Sequence, residues 1–230
     1  MADLIRGIDV SAYQGPINWE VMRQARRDLA FAYVRTSEWK NEPENPNSGL
    51  IDYEAERNIA GAARNGLVPG VYQRANLELN TPEKEAAEFV AHIRYLDAWK
   101  PGSLIPAIDV EYTTPQAKAP NLNKWLEEFV VAYQDMAPIK KLMFYTSSSY
   151  ILTYYPSALT LPVNLWIAHT EKYSIPKGMP AEEWAGRANS FSNKGLIHQY
   201  THSIHMPGVN GNTVDGDALF PGVKLRQVMV

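Results

Sequence analysis

Short runs rich in Val, Ile, Tyr, Phe and Leu alternate along the chain with stretches of helical spacing. The strand-like runs are Ile5–Val10, Leu29–Thr36, Pro69–Ala75, Leu104–Glu111, Lys141–Ser147, Leu165–His169, Leu196–Thr201 and Val214–Ala218. In Asp52–Asn65, Ala55, Ile59, Ala62 and Ala63 share one helical face, and Gly66 is a natural C-terminal stop. Thr81, Pro82 and the acidic turn that follows predict a helix start, with the helix running to Leu96. Lys124–Met136 places Trp125, Phe129, Ala132 and Tyr133 on one side. This alternation predicts an α/β fold in which a largely parallel sheet closes into a TIM-like barrel. The last three strands have little room for helices between them, so the barrel is expected to be irregular there, a (β/α)5(β)3 arrangement. The Pro- and Asn-rich stretch Asn41–Gly49 reads as a long surface loop. No repeat or Ser/Gly linker divides the chain, so one domain over 1–230 is expected.

Composition narrows the function classes. The 230 residues are 45% hydrophobic, enough for a substantial core without disulfides. There is no cysteine, which excludes thiolate metal sites, iron–sulfur clusters and cysteine nucleophiles together. A net charge of -3 supplies no polycation for nucleic acid and no polybasic membrane patch. MADLIRGIDV lacks the apolar segment of a signal peptide, and no run approaches a membrane span. A soluble protein, expected as a monomer, with neither a nucleic-acid partner nor membrane insertion, is the reading.

The chemistry concentrates in Ile105–Glu111, IPAIDVE. Strand alternation puts Ala107, Asp109 and Glu111 on one face, with Ile108 and Val110 turned towards covering helices. Two carboxylates at the end of an apolar strand are costly to bury unless paired or protonated. Crowding raises the pKa of at least one, the condition for a carboxylic acid that donates a proton at neutral pH. The plain alternative is a pair of acids at an exposed strand end. Asp9 also follows an apolar run, and Asp215 and Asp217 occupy the last strand region. If all strands are parallel, their C-terminal ends open on one face and these acids converge there. Tyr72, Tyr145 and Trp166 lie at other strand ends, where rings can stack on sugars.

His198, His202 and His205 have a spacing that would align metal ligands on a helix, but GLIHQYTHSIHMPG reads as a strand and loop. No metal or other cofactor is expected. Phosphate-binding loops, the H-E-x-x-H motif and the G-x-S-x-G motif are absent from the sequence.

Over nearly the whole chain, these residues resemble the family 25 glycoside hydrolases, the Chalaropsis-type lysozymes of bacteria and their phages. The resemblance rests on ordered blocks: GIDVSAYQGPINW (Gly7–Trp19), FAYVRTSE (Phe31–Glu38), NGLVPGVY (Asn65–Tyr72), PAIDVE (Pro106–Glu111), FYTSS (Phe144–Ser148), LWIAH (Leu165–His169), HQYTH (His198–His202) and VDGD (Val214–Asp217). It implies one catalytic domain that hydrolyses the β-1,4 bond between N-acetylmuramic acid and N-acetylglucosamine in peptidoglycan. Glu111 would protonate the leaving oxygen. Asp109 would act as nucleophile or orient the substrate acetamido group, with Asp9 and Asp215 completing the cluster and retention as the outcome. Tyr72, Tyr145, Trp166 and Gln199 would contact substrate. The setting implied is a phage or prophage lysin, acting on the wall from the host cytoplasm or from a virion. Cleavage of another N-acetylated polysaccharide such as chitin, and a non-catalytic glycan-binding barrel, are the alternatives.

Three positions depart from the family pattern. Tyr72-Gln73-Arg74 stands where Y-H-F is frequent, His198 where Trp is common, and Trp39 where Gly is common. All three are expected near the substrate groove.

Overall fold

A computed structural model describes residues 4–37, 50–77, 80–111, 122–169, 191, 193–211 and 213–230. Eight strands form a closed barrel in chain order: β1 (Arg6–Val10), β2 (Leu29–Arg35), β3 (Val68–Arg74), β4 (Ala107–Asp109), β5 (Met143–Ser147), β6 (Asn164–Ala168), β7 (Gly195–His205) and β8 (Thr213–Leu219). The described helices are α1 (Trp19–Ala25), α2 (Ala55–Arg64), α3 (Pro82–Tyr95), α4 (Leu122–Met136) and α5 (Ser148–Tyr154). The predicted loop Asn41–Gly49 and Trp39 lie outside the described residues.

The local chemistry explains the helix starts. Thr81 Oγ1 accepts from Lys84 N at 3.3 Å and Pro82 follows, so α3 begins with a capped first turn. Asn18 caps the short α1 in the same way, accepting from Val21 N at 3.1 Å. Gly66, at φ 79°, ends α2 in a conformation that costs other residues energy.

Strand alternation sorts the core into two layers. Ile8, Val10, Ala32, Val34, Val71, Ile108, Val110, Phe144 and Ile167 face outward, where they pack with the helices. Phe31, Tyr33, Ile105, Ala107, Met143, Trp166, Ile197 and Leu219 fill the barrel itself. Two interior glycines admit the large rings. A Cβ on Gly7 would lie 2.2 Å from Phe31, and one on Gly70 would lie 2.9 Å from Tyr33 and nearer still to Leu104. The C-terminal residues close one end: Ile105 N donates to Val228 O and Val230 N to Ser103 O.

One expectation requires correction. The barrel is not all parallel, because β8 runs antiparallel to both β7 and β1. Its first residues, not its last, therefore share a rim with the C-terminal ends of the other strands. Asp215 pairs in register with Asp9 and reaches that rim, whereas Asp217 pairs with Gly7, one level deeper.

Candidate active site

The C-terminal ends of β1–β6 surround a cavity of about 540 Å³. Its floor is aromatic. Trp166 stacks on Tyr33 with centroids 4.5 Å apart, and Tyr145 and Tyr72 meet it edge-on at 4.8 and 6.0 Å. The Trp166 indole donates to Asp217 Oδ1 at 2.9 Å, so the deep carboxylate fixes the floor and does not join the rim. Trp166 lines the cavity but is only 1% exposed with one face covered by Tyr33. That environment makes it a floor element and leaves no open face for stacking a sugar.

Asp9, Asp109, Glu111 and Asp215 all line the same cavity. Gln199 joins them: its Nε2 donates to Asp9 Oδ2 at 2.9 Å and to Asp215 Oδ2 at 3.4 Å, and its Oε1 accepts from Tyr145 Oη at 2.8 Å. These partners fix the orientation of the amide and engage both its ends, so Gln199 serves as a brace between carboxylates. Tyr145 Oη also lies 3.4 Å from Glu111 Oε1, the longer of its two contacts. Its single proton goes to Gln199.

Electrostatics separate the four acids. Burial pushes the Asp9 carboxyl well above the usual range; the nearby Asp215 and Asp217 charges add to this, and the Gln199 hydrogen bond opposes it. Burial likewise raises Asp109, helped by the Glu111 charge and opposed by Arg74 and Arg35. Asp109 Oδ1 is buried and has no hydrogen-bond partner among the described residues, so an ionised form there is poorly compensated. Asp215 is pushed up to about 6, first by burial, with His202 opposing and Glu111 adding. Glu111 stands apart, its side chain 39% exposed at the mouth and its Oε2 3.4 Å from Arg74 Nη2.

Sequence reasoning missed several lining residues. Arg35 was not anticipated there, whereas Arg74, expected near the groove, does line the cavity. Strand parity could have placed them, since Tyr33 and Arg35, like Tyr72 and Arg74, share the interior face. His202 also lines the cavity. The three histidines do not converge: His198 is fully buried and lies 6.1 Å from the Phe220 ring, while His205 is exposed. His198 Nε2 donates to the barrel wall at His169 O, 3.0 Å away. The expectation that His198 borders the groove is therefore corrected, and so is that for Gln73, whose side chain faces α3. Of the described departures, Arg74 alone reaches the cavity. On the opposite rim Ser148 Oγ and His169 Nδ1 are 2.9 Å apart.

A cleft with a cluster of buried and half-buried carboxylates over an aromatic floor is a site of the glycosidase type. The sequence profile of the Glycosyl hydrolases family 25 matches residues 8–209, and the chain belongs to that family. Lysozyme M1 of Streptomyces globisporus is 24% identical over 219 residues, covering 90% of this chain and 65% of that relative. The chain thus spans less than two thirds of that protein's length. The crystal structure of the bacterial lysozyme from Streptomyces coelicolor matches with a TM-score of 0.71 at 21% identity, over 99% of this chain and 97% of that one. The catalytic domain of an endolysin from a bacteriophage of Listeria monocytogenes matches with a TM-score of 0.67 at 15% identity, over 99% and 97%. At these identities the likeness is one of fold.

Proposed function

We propose that the protein is a muramidase, hydrolysing the β-1,4 bond between N-acetylmuramic acid and N-acetylglucosamine in peptidoglycan with retention at the anomeric carbon. The observation that carries this is the contrast on β4 and its end: Asp109 buried with an orphaned oxygen, and Glu111 two residues on at the mouth of the cavity.

In this reading the glycan lies across the mouth, and Glu111 transfers a proton to the leaving glycosidic oxygen. Asp109 sits below it, either attacking the anomeric carbon or orienting the acetamido group whose carbonyl oxygen attacks instead. Asp9 and Asp215, braced by Gln199, hold the lower cavity, and Asp215, raised only to about 6, keeps its negative charge near the developing oxocarbenium ion at neutral pH. The Tyr72 and Tyr145 hydroxyls, both raised first by burial, stay neutral and bond without charge. Water that enters after the leaving sugar departs is deprotonated by Glu111, which restores the acid.

The catalytic unit would be the single barrel over 1–230, working as a monomer. A phage or prophage lysin is the setting in this reading. No helix among the described residues is long and apolar enough to cross a membrane.

Purified peptidoglycan digested by the protein and examined by mass spectrometry should yield fragments ending in reducing muramic acid. Reducing glucosamine ends would overturn the bond assignment. Tight wall binding without new reducing ends would replace the proposal with a glycan-binding barrel, and release from chitin alone would move the substrate.

A further inference from the structure

β3 ends on Tyr72-Gln73-Arg74, and its alternation sends Gln73 outward and Arg74 into the cavity. Gln73 is fastened on the helix side. Its Nε2 donates to Glu85 Oε2 at 2.8 Å, and its Oε1 lies 2.9 Å from His92 Nδ1. Glu85 is itself held by Asn76 N and Asn80 Nδ2 at 2.9 and 2.7 Å. Just beyond Arg74, Ala75 N donates to Asp109 O at 2.8 Å. The backbone carrying Arg74 is therefore fixed on both sides, and its guanidinium reaches from there to Glu111 at the cavity mouth.

The guanidinium stands 3.4 Å from Glu111 Oε2, with the Arg74 and Glu111 side chains 25% and 39% exposed. Ion pairs this accessible to water are weak and readily exchanged. The other arginine lining the cavity among the described residues is held by a different carboxylate. Arg35 Nε and Nη2 both bond Asp52 Oδ2, at 3.1 and 2.9 Å, and the Asp52 side chain is fully buried. Asp52 also accepts from Ala12 N and Glu54 N, which locks it in place. Arg74 is thus the lining arginine whose described carboxylate partner is exchangeable.

The charge balance gives that exchange a purpose. Carboxylates at the cavity mouth repel an anionic glycan unless a cation offsets them, and the Arg74–Glu111 contact occupies an oxygen of the proton donor. We propose that Arg74 is a specificity-determining residue that trades Glu111 for a carboxylate of the bound glycan, so that acidic strands are preferred and Glu111 is released when such a strand is in place. This rests on the muramidase reading and deepens it. The carboxylate belongs either to the lactyl group of muramic acid, where no peptide is attached, or to the stem peptide. A neutral side chain at 74, such as the family's frequent Phe, does neither job.

The test compares kcat/KM on peptide-bearing strands, on strands stripped by an amidase, and on each after carbodiimide amidation of its carboxylates. The wild-type enzyme should lose about tenfold on amidation, the size of one partly exposed charge-assisted contact. Arg74→Met should show no such loss, and Arg74→Lys should restore part of it, which separates recognition of charge from support of the fold. A loss confined to stripped strands assigns the lactyl carboxylate, and one confined to peptide-bearing strands assigns the stem. Equal wild-type rates before and after amidation, or an Arg74→Met enzyme as sensitive as wild type, would overturn the proposal. A wild-type protein that cleaves none of the strands would instead remove the muramidase reading itself.

Discussion

Asp109 and Glu111 are two positions apart, face the same way and have different surroundings. Asp109 is 5% exposed, and burial raises its carboxyl; Glu111 stands in the mouth beside a guanidinium. Such a division is what lets paired carboxylates take separate roles. Asp215 shows the cost in stability. Its carboxyl is raised from 3.8 to about 6, so between pH 4 and 6 the folded state holds a proton that the unfolded state has lost. Stability from this group is present below pH 4 and falls as pH rises through about 6. Asp215→Asn should therefore raise the melting temperature at pH 7 by a few degrees, and by much less at pH 4. Calorimetry at the two pH values checks this, and an equal shift at both would contradict it. Asp217 gives a second prediction. Asp217→Ala leaves the buried Trp166 indole without its acceptor, a loss of about 1–3 kcal/mol by denaturant unfolding, whereas Asp217→Asn keeps an acceptor and should be far milder.

Between elements, close contacts decide what the sequence can and cannot announce. A Cβ on Gly61 of α2 would come within 2.2 Å of Trp19 on α1, so Gly61→Ala should cost about 1–3 kcal/mol although alanine favours helix. A denaturant melt showing stabilisation would mean that α1 and α2 can move apart freely. Strand positions were legible in the sequence because apolar alternation over five to eight residues leaves little choice of register. The pairing of Asp109 and Glu111 on one face followed from the same period. The helix α1 was not legible, since seven residues give too few turns for an apolar stripe to stand out. The direction of β8 was hidden for another reason: alternation reads the same in both directions. Register shifts at Gln199/Thr201 and Thr201/Ile204 break the parity of β7, which concealed that His202 lines the cavity. Gln199 illustrates the limit of residue type. Its position was evident, but its role as a brace depends on three partners from β1, β5 and β8.

The whole molecule is a barrel whose two ends have different tasks. One end is sealed by the C-terminal residues, with Val228 fully buried against the interior cluster that includes Leu104 and Ile105. Removing residues 225–230 should open that end to water and cost most of the cooperative transition seen by circular dichroism; an unchanged melt would show the seal to be dispensable. The other end gathers carboxylates that no folding requirement calls for, since burying them opposes stability. The antiparallel β8 is what delivers Asp215 beside Asp9 there. On this account the carboxylates serve proton transfer to a glycosidic oxygen, with Glu111 as the donor. The most direct test is the rate of purified peptidoglycan hydrolysis by Glu111→Gln, a change that preserves size and removes the acid. A loss of at least about a hundredfold in kcat, with binding to the wall retained, is the predicted result. Near-normal hydrolysis by that variant would contradict it.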